Sequence, residues 1–279
     1  MRYIAEICSN HNGNLSRAIE LIKIASEVGC HAVKFQLFRL DKTFSSEVLS
    51  HPEYQFVRDR RAWELPLEWL PKLKTTCQKY RLEFGCTPFY IEAIDELKPF
   101  VDFYKIASYS LLDYKLINAV SWMKKPLIIS TGMATNEEIK RSLFPLLTSD
   151  LSVLHCVSEY PARNYQLDRF KFIQRMFAHI GYSDHTVDPA AIYYFYHRGA
   201  RTFEFHLDLD GGGYEYGIGH CWLPEQIKPV IEIINRMESI DASGQSDAED
   251  VERGWRADPS DGLRPLIEIR KTLLANSGR

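Results

Sequence analysis

The chain has 279 residues, of which 45% are apolar, so it can form a large buried core. Its formal net charge of −3 gives no overall attraction to nucleic acids or acidic membranes, and no apolar run has the length of a membrane span. The six cysteines show no CxxC spacing, which favours free thiols in a reducing cytoplasm over a zinc site or a disulfide framework.

Eight short runs of β-branched and aromatic residues alternate with helical patterns along residues 1–240. The runs predicted as strands are Tyr3–Cys8, His31–Gln36, Leu82–Cys86, Asp102–Ile106, Leu127–Ser130, Ser152–His155, His179–Tyr182 and Thr202–Phe205. The helical patterns are Leu15–Val28, Pro66–Tyr80, Ile91–Lys98, Tyr114–Trp122, Asn136–Leu147, Leu167–Phe177, Pro189–His197 and Pro224–Met237. These strand–helix units predict an α/β fold, a (β/α)8 TIM barrel over residues 1–240, with a doubly wound sheet as the alternative.

Beyond residue 240 the composition changes and the barrel pattern ends. Asp241–Asp247 has no apolar pattern and is predicted as a linker. Trp255–Pro265 combines one tryptophan with two arginines and two prolines, which indicates a segment ordered against the barrel. Leu266–Ala275 is predicted as a short helix, so residues 241–279 are interpreted as a C-terminal extension.

Two histidines follow the last two predicted strands, His185 after His179–Tyr182 and His206 after Thr202–Phe205. Neighbouring parallel strands end at the same edge of a sheet and lie about 4.8 Å apart, so the two imidazoles could hold one metal ion. Imidazole ligands favour Mn²⁺, Fe²⁺, Co²⁺ or Zn²⁺ over Mg²⁺ or Ca²⁺. Taken singly, His185 could instead cap a helix and His206 could be a core residue.

Lysines stand inside two otherwise apolar strands, Lys34 in the second and Lys105 in the fourth. A lysine is costly to bury unless it meets an anion, which favours a functional role for both. In a TIM barrel the active site lies at the carboxyl ends of the strands. Short hydroxyl side chains stand at those ends too: Thr87, Ser108, Ser130 and Ser183. Lysine with such donors predicts a phosphate or carboxylate site next to the histidines.

Two connections stand out by length or composition. Arg39–Leu65 is long and rich in charged and aromatic residues, as lids and binding segments are, with a plain surface excursion as the alternative. Asp208–Gly213 contains three glycines, which permit a tight turn near the expected metal site. It is not a GxGxxG motif, so nucleotide binding is not favoured.

Several short motifs stand in a fixed order between residues 3 and 207. They are Ile4–Ile7, Asn10–Gly13, Ala32–Gln36, Thr87–Phe89, Lys105–Ser108, Ser130–Met133, Leu154–Cys156, Tyr160–Pro161, Gly181–Thr186, Glu204 and His206. Through these motifs the chain resembles the sialic acid synthases, which join phosphoenolpyruvate to an N-acetylated sugar. It resembles a divergent member, because residues 241–279 do not match the antifreeze-like domain that usually follows the barrel.

The resemblance implies a transferase that condenses phosphoenolpyruvate with an N-acetylhexosamine-type aldehyde. The product would be a nonulosonic 2-keto-3-deoxy sugar acid, released with phosphate. The implied catalytic residues are Glu6, Lys34, Lys105 and His206. The implied substrate-binding residues are Gln36, Thr87, Ser108, Ser130, Ser158, Tyr160 and Ser183. A divalent metal is implied at His185 and His206, Mn²⁺ first, with Mg²⁺ or Co²⁺ as alternatives. The implied partners are phosphoenolpyruvate, an amino-sugar acceptor and a second copy in a homodimer, in the cytoplasm and without nucleic acid or membrane.

The chain departs from the family at two acidic positions. Ser110 stands where members usually carry an acid, a candidate for proton transfer. The family's loop before His220 also carries an acid that lines the site, and Asp210 or Glu215 could replace it here. Two other functions stay open: a metal-dependent aldolase or isomerase on the same barrel, and a non-catalytic sugar-binding protein.

Overall fold

The computed structural model describes residues 1–146 and 150–242. The predicted Trp255–Pro265 segment, the helix at Leu266–Ala275 and most of the linker lie outside the described residues. The helix predicted over Asn136–Leu147 is shorter than expected, because it ends at Leu143. The chain divides into two compact units, Met1–Asn235 and Arg236–Arg279. The site described below belongs to the first unit, and the boundary at residue 240 stays a prediction.

All eight predicted strands are present, each within two residues of its predicted ends. They are β1 (Arg2–Glu6), β2 (Ala32–Leu37), β3 (Glu83–Pro88), β4 (Phe103–Ile106), β5 (Leu127–Ser130), β6 (Leu151–Cys156), β7 (Ile180–Asp184) and β8 (Thr202–Leu207). They pair in sequence order, all in parallel, and β8 pairs with β1 to close the sheet. The TIM barrel is confirmed, and the doubly wound alternative is wrong because an open sheet would leave β1 and β8 apart.

The helices surround the strands in the expected order. Those between barrel strands are α1 (Leu15–Glu27), α5 (Leu70–Lys79), α6 (Ala93–Leu97), α7 (Tyr114–Ser121), α8 (Asn136–Leu143), α9 (Leu167–Met176) and α10 (Pro189–His197). Helix α11 (Pro224–Ala242) follows β8 and extends two residues into the predicted linker. The insertion after β2 is not a plain loop, since it contains α2 (Leu40–Thr43), α3 (Ser46–Ser50) and α4 (Gln55–Arg58). Among the described residues, no helix has the length and apolarity that crossing a membrane requires.

Several helices begin where the sequence supplies an N-cap. The Asn14 side chain accepts hydrogen bonds from the backbone N–H groups of Ser16 and Arg17. Thr135 and Glu138 form a reciprocal capping box at the start of α8. Such caps satisfy backbone donors that have no partner inside the helix. They fix the helix starts directly after the strand-end loops that carry the candidate site.

The barrel interior has an apolar layer and, directly above it, a polar layer. Along a strand, side chains two residues apart point to the same side. The residue two positions after each apolar interior residue therefore also points into the barrel. The pairs are Ile4 and Glu6, Ala32 and Lys34, Phe103 and Lys105, Ile128 and Ser130, and Leu154 and Cys156. The first members form one fully buried cluster. The second residue of each pair therefore lies directly above this packed apolar layer.

A ninth strand, β9 (Cys221–Trp222), runs parallel to the end of β8, with Cys221 opposite His206. Trp222 is almost fully buried, and its indole N–H donates to the Asp184 carboxylate (Nε1···Oδ2 2.8 Å). This strand was not predicted, because two residues are too few to show the alternation of a strand. It brings His220 to the open end of the barrel beside His206.

Candidate active site

A cavity of about 550 Å³ opens at the carboxyl ends of the strands. Nearly all of the predicted site residues line it. These are Glu6, Lys34, Gln36, Lys105, Ser108, Ser130, Ser158, Tyr160, Ser183, His185 and His206. The exception is Thr87, which lies behind Lys34 and accepts a hydrogen bond from its ammonium group (Nζ···Oγ1 3.0 Å). The residues predicted at the strand ends therefore meet in one continuous cavity.

Both interior lysines meet carboxylates. Lys34 and Glu6 occupy paired positions on β2 and β1 and form a buried ion pair. Lys105 lies 3.4 Å from Glu204 (Nζ···Oε1), whose Oε1 also accepts from the Ser183 hydroxyl at 3.0 Å. Burial alone would raise the pKa of Glu204, but the two lysines and this hydroxyl lower it to about 2. Burial lowers the pKa of Lys34 to about 8. Glu204, for which no role was predicted, is thus the counter-charge of Lys105.

Hydroxyl groups without a partner line one wall of the cavity. The buried Ser130 Oγ and Ser158 Oγ have no hydrogen-bond partner in the described structure. Beside them, the Gly132 N–H donates to Ser108 Oγ at 2.8 Å. A Cβ at Gly132 would lie 2.2 Å from Ser158 Oγ, so only glycine leaves these hydroxyls in place. Buried polar groups rarely stay unpaired, so this wall is suited to an oxygen-rich ligand.

Three histidines lie together in the same cavity. The His206 ring lies 5.3 Å from His185 and 4.4 Å from His220, measured between centroids. Tyr160 packs against the same group, 4.2 Å from the His185 ring and 4.8 Å from His220. The predicted pair is brought together, and β9 adds His220, for which the sequence carried no local signal.

Glu215 enters the same group from the glycine-rich loop. Its carboxylate lies 2.9 Å from His206 Nδ1 and accepts hydrogen bonds from the Cys8 thiol (2.7 Å) and the Ser9 hydroxyl (3.0 Å). Burial opposes its ionisation, but the hydrogen bonds from His206 and His220 hold its pKa well below the usual range. Asp210, the other candidate acid, instead pairs with Arg17 outside the cavity. Glu215 is therefore the acid that this loop supplies to the site.

The ligand atoms of His206, Glu215, His220 and Cys221 all lie within 4.8 Å of one another, close enough to hold one metal ion. Burial raises the pKa of Cys221 to about 12, so its thiol stays protonated and is a poor ligand. Burial lowers the pKa of His206 to about 4, so its imidazole is neutral and able to bind a cation. Two imidazoles and one carboxylate are a donor set that suits a borderline divalent ion such as Mn²⁺.

His185 stands next to this donor set but has its own partners. Its Nδ1 lies 2.8 Å from the Val157 carbonyl oxygen and 3.7 Å from Cys156 Sγ. Burial lowers the pKa of His185, but these contacts outweigh it and raise the pKa to about 9. A metal bound there would have to displace a proton. The assignment of His185 as a metal ligand stays a prediction.

Two other residues noted in the sequence lie outside the cavity lining. His155, at the end of β6, points away from the barrel interior. It bonds to the Tyr165 carbonyl (2.7 Å), and its ring stacks on Tyr182. Ser110 is buried beyond the lining, so the position where the family usually carries an acid does not face the cavity here.

The insertion after β2 borders the cavity through Arg60 and Trp63. The Trp63 ring stacks on Tyr214 of the glycine-rich loop, with 6.2 Å between centroids and 23° between planes. The insertion therefore belongs to the site and is not a plain surface excursion. The sequence showed its composition but could not show which of its residues face the cavity.

Comparison with known proteins identifies the family. The NeuB family model matches residues 21–246. The chain belongs to the NeuB family. It is 31% identical to an N,N'-diacetyllegionaminic acid synthase of Legionella pneumophila, over 97% of this chain and 80% of the relative. It is 29% identical to a pseudaminic acid synthase of Campylobacter jejuni, over 88% of this chain and 76% of the relative.

Solved structures support the same family. The N-acetylneuraminic acid synthetase of Leptospira borgpetersenii has a TM-score of 0.78 at 26% identity, covering 90% of this chain and 88% of that one. The spore coat polysaccharide biosynthesis protein E of Chromobacterium violaceum has a TM-score of 0.79 at 28% identity, covering 90% and 79%. The predicted resemblance is confirmed, and with it the expectation of a synthase-type enzyme of the C–C bond-forming class.

Proposed function

We propose that this NeuB-family protein condenses phosphoenolpyruvate with the aldehyde of an N-acylhexosamine, forming a nonulosonic acid and releasing phosphate. The observation that carries the proposal is the division of one cavity into two walls. One wall offers lysines and unpaired hydroxyls to an anion, and the other offers imidazoles and a carboxylate to a metal ion. This pairing fits an anionic donor that reacts with a polarised carbonyl.

Phosphoenolpyruvate would bind on the lysine and serine wall. Lys34 and Lys105 supply the positive charge, and Ser130 and Ser158 supply donors that have no other partner. Gly132 has no side chain and therefore leaves the Ser158 and Ser108 hydroxyls in place. Thr87 acts through Lys34, which it holds by its hydroxyl. These groups are fixed before the substrate arrives, so they stabilise developing charge without reorganisation.

The acceptor would bind between this wall and the histidines. A divalent ion held by His206, Glu215 and His220, with His185 beside it, would supply Lewis-acid polarisation of the aldehyde oxygen. Glu6 and Gln36 line the cavity and would orient the sugar. C3 of phosphoenolpyruvate attacks the aldehyde carbon, water adds at C2, and phosphate leaves by C–O cleavage. Lys34 and Lys105 hold the departing phosphate and the carboxylate.

The remaining assignments are part of the same proposal. Mn²⁺ is the metal we expect first, with Mg²⁺ or Co²⁺ as alternatives. All six cysteines are free and buried, which is consistent with work in a reducing cytoplasm. A homodimer stays a prediction, as does the choice of sugar.

The test is phosphate release when the protein is mixed with Mn²⁺, phosphoenolpyruvate and a panel of N-acylhexosamines. We expect release that needs both substrates, and its loss in His206→Ala. No release with any acceptor, together with no metal-dependent phosphoenolpyruvate binding, would contradict the proposal. Turnover of a sugar phosphate without phosphoenolpyruvate would favour an aldolase or isomerase. Sugar binding without turnover would favour a non-catalytic relative.

A further inference from the structure

The insertion carries one arginine at the cavity that the protein itself leaves without an anionic partner. Arg58 bonds to the backbone carbonyls of Leu49 and His51, and Arg61 pairs with Asp41 at 2.9 Å. Arg60 makes no ion pair within the part of the chain that the structure describes, yet it lines the cavity. Arg58 and Arg61 thus bind groups within the insertion, whereas Arg60 forms no such polar contact among the described residues.

Arg60 is held in place by aromatic rings. Its guanidinium lies over the Trp63 ring, 5.3 Å from the centroid, and Trp63 is backed by Tyr214. The backbone of Tyr214 is held in turn, because its N–H donates to Asn12 Oδ1 at 2.8 Å. A stacked guanidinium keeps its N–H donors free at its edge. The arrangement is therefore a prepared anion contact rather than a freely moving surface side chain.

Arg60 and the interior lysines stand at different depths. Lys34 and Lys105 are each 2% exposed, whereas Arg60 is exposed at the mouth of the cavity. If phosphoenolpyruvate takes the deep lysine wall, the cation at the mouth is left for a second anionic group. In an open-chain hexose, C6 lies at the opposite end from the reacting aldehyde. A group on C6 would therefore point from the histidine cluster toward the mouth.

We infer that Arg60, supported by Trp63 and Tyr214, selects an acceptor with a phosphate at the end away from its aldehyde, an N-acylhexosamine 6-phosphate. The inference rests on the proposed function. A guanidinium can bind two phosphate oxygens at once in its fork geometry. Arg60 is thereby a specificity-determining residue that touches the acceptor and not phosphoenolpyruvate.

The experiment compares kcat/KM for N-acetylmannosamine and its 6-phosphate in the wild type, Arg60→Ala, Arg60→Lys and Arg61→Ala. Hydrogen bonds to charged groups contribute about 1.5–3 kcal/mol, so the wild type is expected to prefer the phosphorylated sugar by about 10- to 100-fold. Arg60→Ala should remove this preference by lowering kcat/KM for the 6-phosphate, without raising the KM for phosphoenolpyruvate. Arg60→Lys should keep part of it, and Arg61→Ala, the matched control, should keep all of it.

Equal kcat/KM for the two sugars in the wild type would overturn the inference while leaving the proposed function standing. An undiminished preference in Arg60→Ala would overturn it as well. Calorimetry of the sugar phosphate alone separates the two proposals. Binding that depends on Arg60 without phosphate release would support the inference and contradict the proposed function. Binding that is absent, or that does not depend on Arg60, would refute the inference whatever the activity.

Discussion

Replacement of Lys105 by methionine separates what the interior lysine does for stability from what it does for ligand binding. Lys105→Met keeps the length of the side chain and removes the ammonium group 3.4 Å from Glu204. The Lys105 and Glu204 side chains are 3% and 6% exposed, so water cannot replace the lost charge. Glu204 would keep the Ser183 hydroxyl, the more distant Lys34 and His206 as favourable neighbours.

Removing one partner of a buried ion pair costs about 3–5 kcal/mol, because the other charge stays buried without compensation. The retained Ser183 contact and the field of Lys34 place the expected loss in the free energy of unfolding near the lower end, about 3 kcal/mol. The double variant Lys105→Met with Glu204→Gln removes the stranded charge. It is expected to recover to within about 1 kcal/mol of the wild type.

Urea unfolding followed by circular dichroism measures the free energies of unfolding, and calorimetry measures phosphoenolpyruvate affinity in both variants. We expect the double variant to be stable but still unable to bind phosphoenolpyruvate with wild-type affinity. If Lys105→Met lowers the free energy of unfolding by less than about 1 kcal/mol, Lys105 does not compensate the buried charge of Glu204. Normal phosphoenolpyruvate affinity in the double variant would show that the lysine is structural.

Three further predictions concern other parts of the cavity. Glu215→Gln should weaken Mn²⁺ binding by about 10- to 100-fold, measured by electron paramagnetic resonance titration, because His206 loses its carboxylate partner. Gly132→Ala should leave the fold intact but weaken phosphoenolpyruvate binding at least about tenfold by calorimetry, since its Cβ would displace Ser158 Oγ. Log kcat/KM for phosphoenolpyruvate should fall as pH rises through about 8, because Lys34, whose pKa is lowered to about 8, loses its charge there. Lys34→Arg should abolish this fall, because arginine stays charged.

Each of these predictions has a matched control and an outcome that contradicts it. Asp210→Asn removes an acid of the same loop that faces Arg17, so Mn²⁺ affinity that falls equally in both variants would contradict the role of Glu215. Gly217→Ala adds a Cβ that meets nothing within 4 Å, and an equal loss of affinity there would point to a general loop effect. If kcat/KM for phosphoenolpyruvate still falls near pH 8 in Lys34→Arg, the titrating group is not Lys34.

The sequence was sufficient for the barrel and for most of the cavity lining, for a simple physical reason. Strand alternation and the closed parallel topology determine which residues point inward, and a polar residue two positions beyond an apolar one must stand above the core. Lys34 and Lys105 could be recognised in this way because charged groups in apolar strands are costly. The partners of these lysines could not be recognised from the sequence. The pairing of Lys34 with Glu6, for example, depends on the register between β1 and β2.

Among the residues around the three histidines, His220 and Glu215 could not be placed from the local sequence. His185 and His206 were accessible because each follows a recognisable strand. The position of His220 depends on the two-residue strand β9, where the Trp222 indole donates to the carboxylate of Asp184, 38 residues earlier in the chain. The position of Glu215 depends on long-range contacts, since its N–H donates to Asn10 Oδ1 at 2.9 Å. Contacts between distant segments leave no periodic signal in the sequence.

The buried charges of this cavity are better explained by ligand binding than by folding. A buried ion pair such as Lys105 and Glu204 is weak evidence for stability, because an apolar pair of similar volume often serves a fold equally well or better. The apolar layer directly beneath, with Ile4 and Phe103, shows that this barrel can fill its interior without charges. On β1, β2 and β4 the change from apolar to charged occurs within two residues, at the level where the cavity begins. Charges at this level, next to hydroxyls without partners, are what a site for an anionic substrate requires.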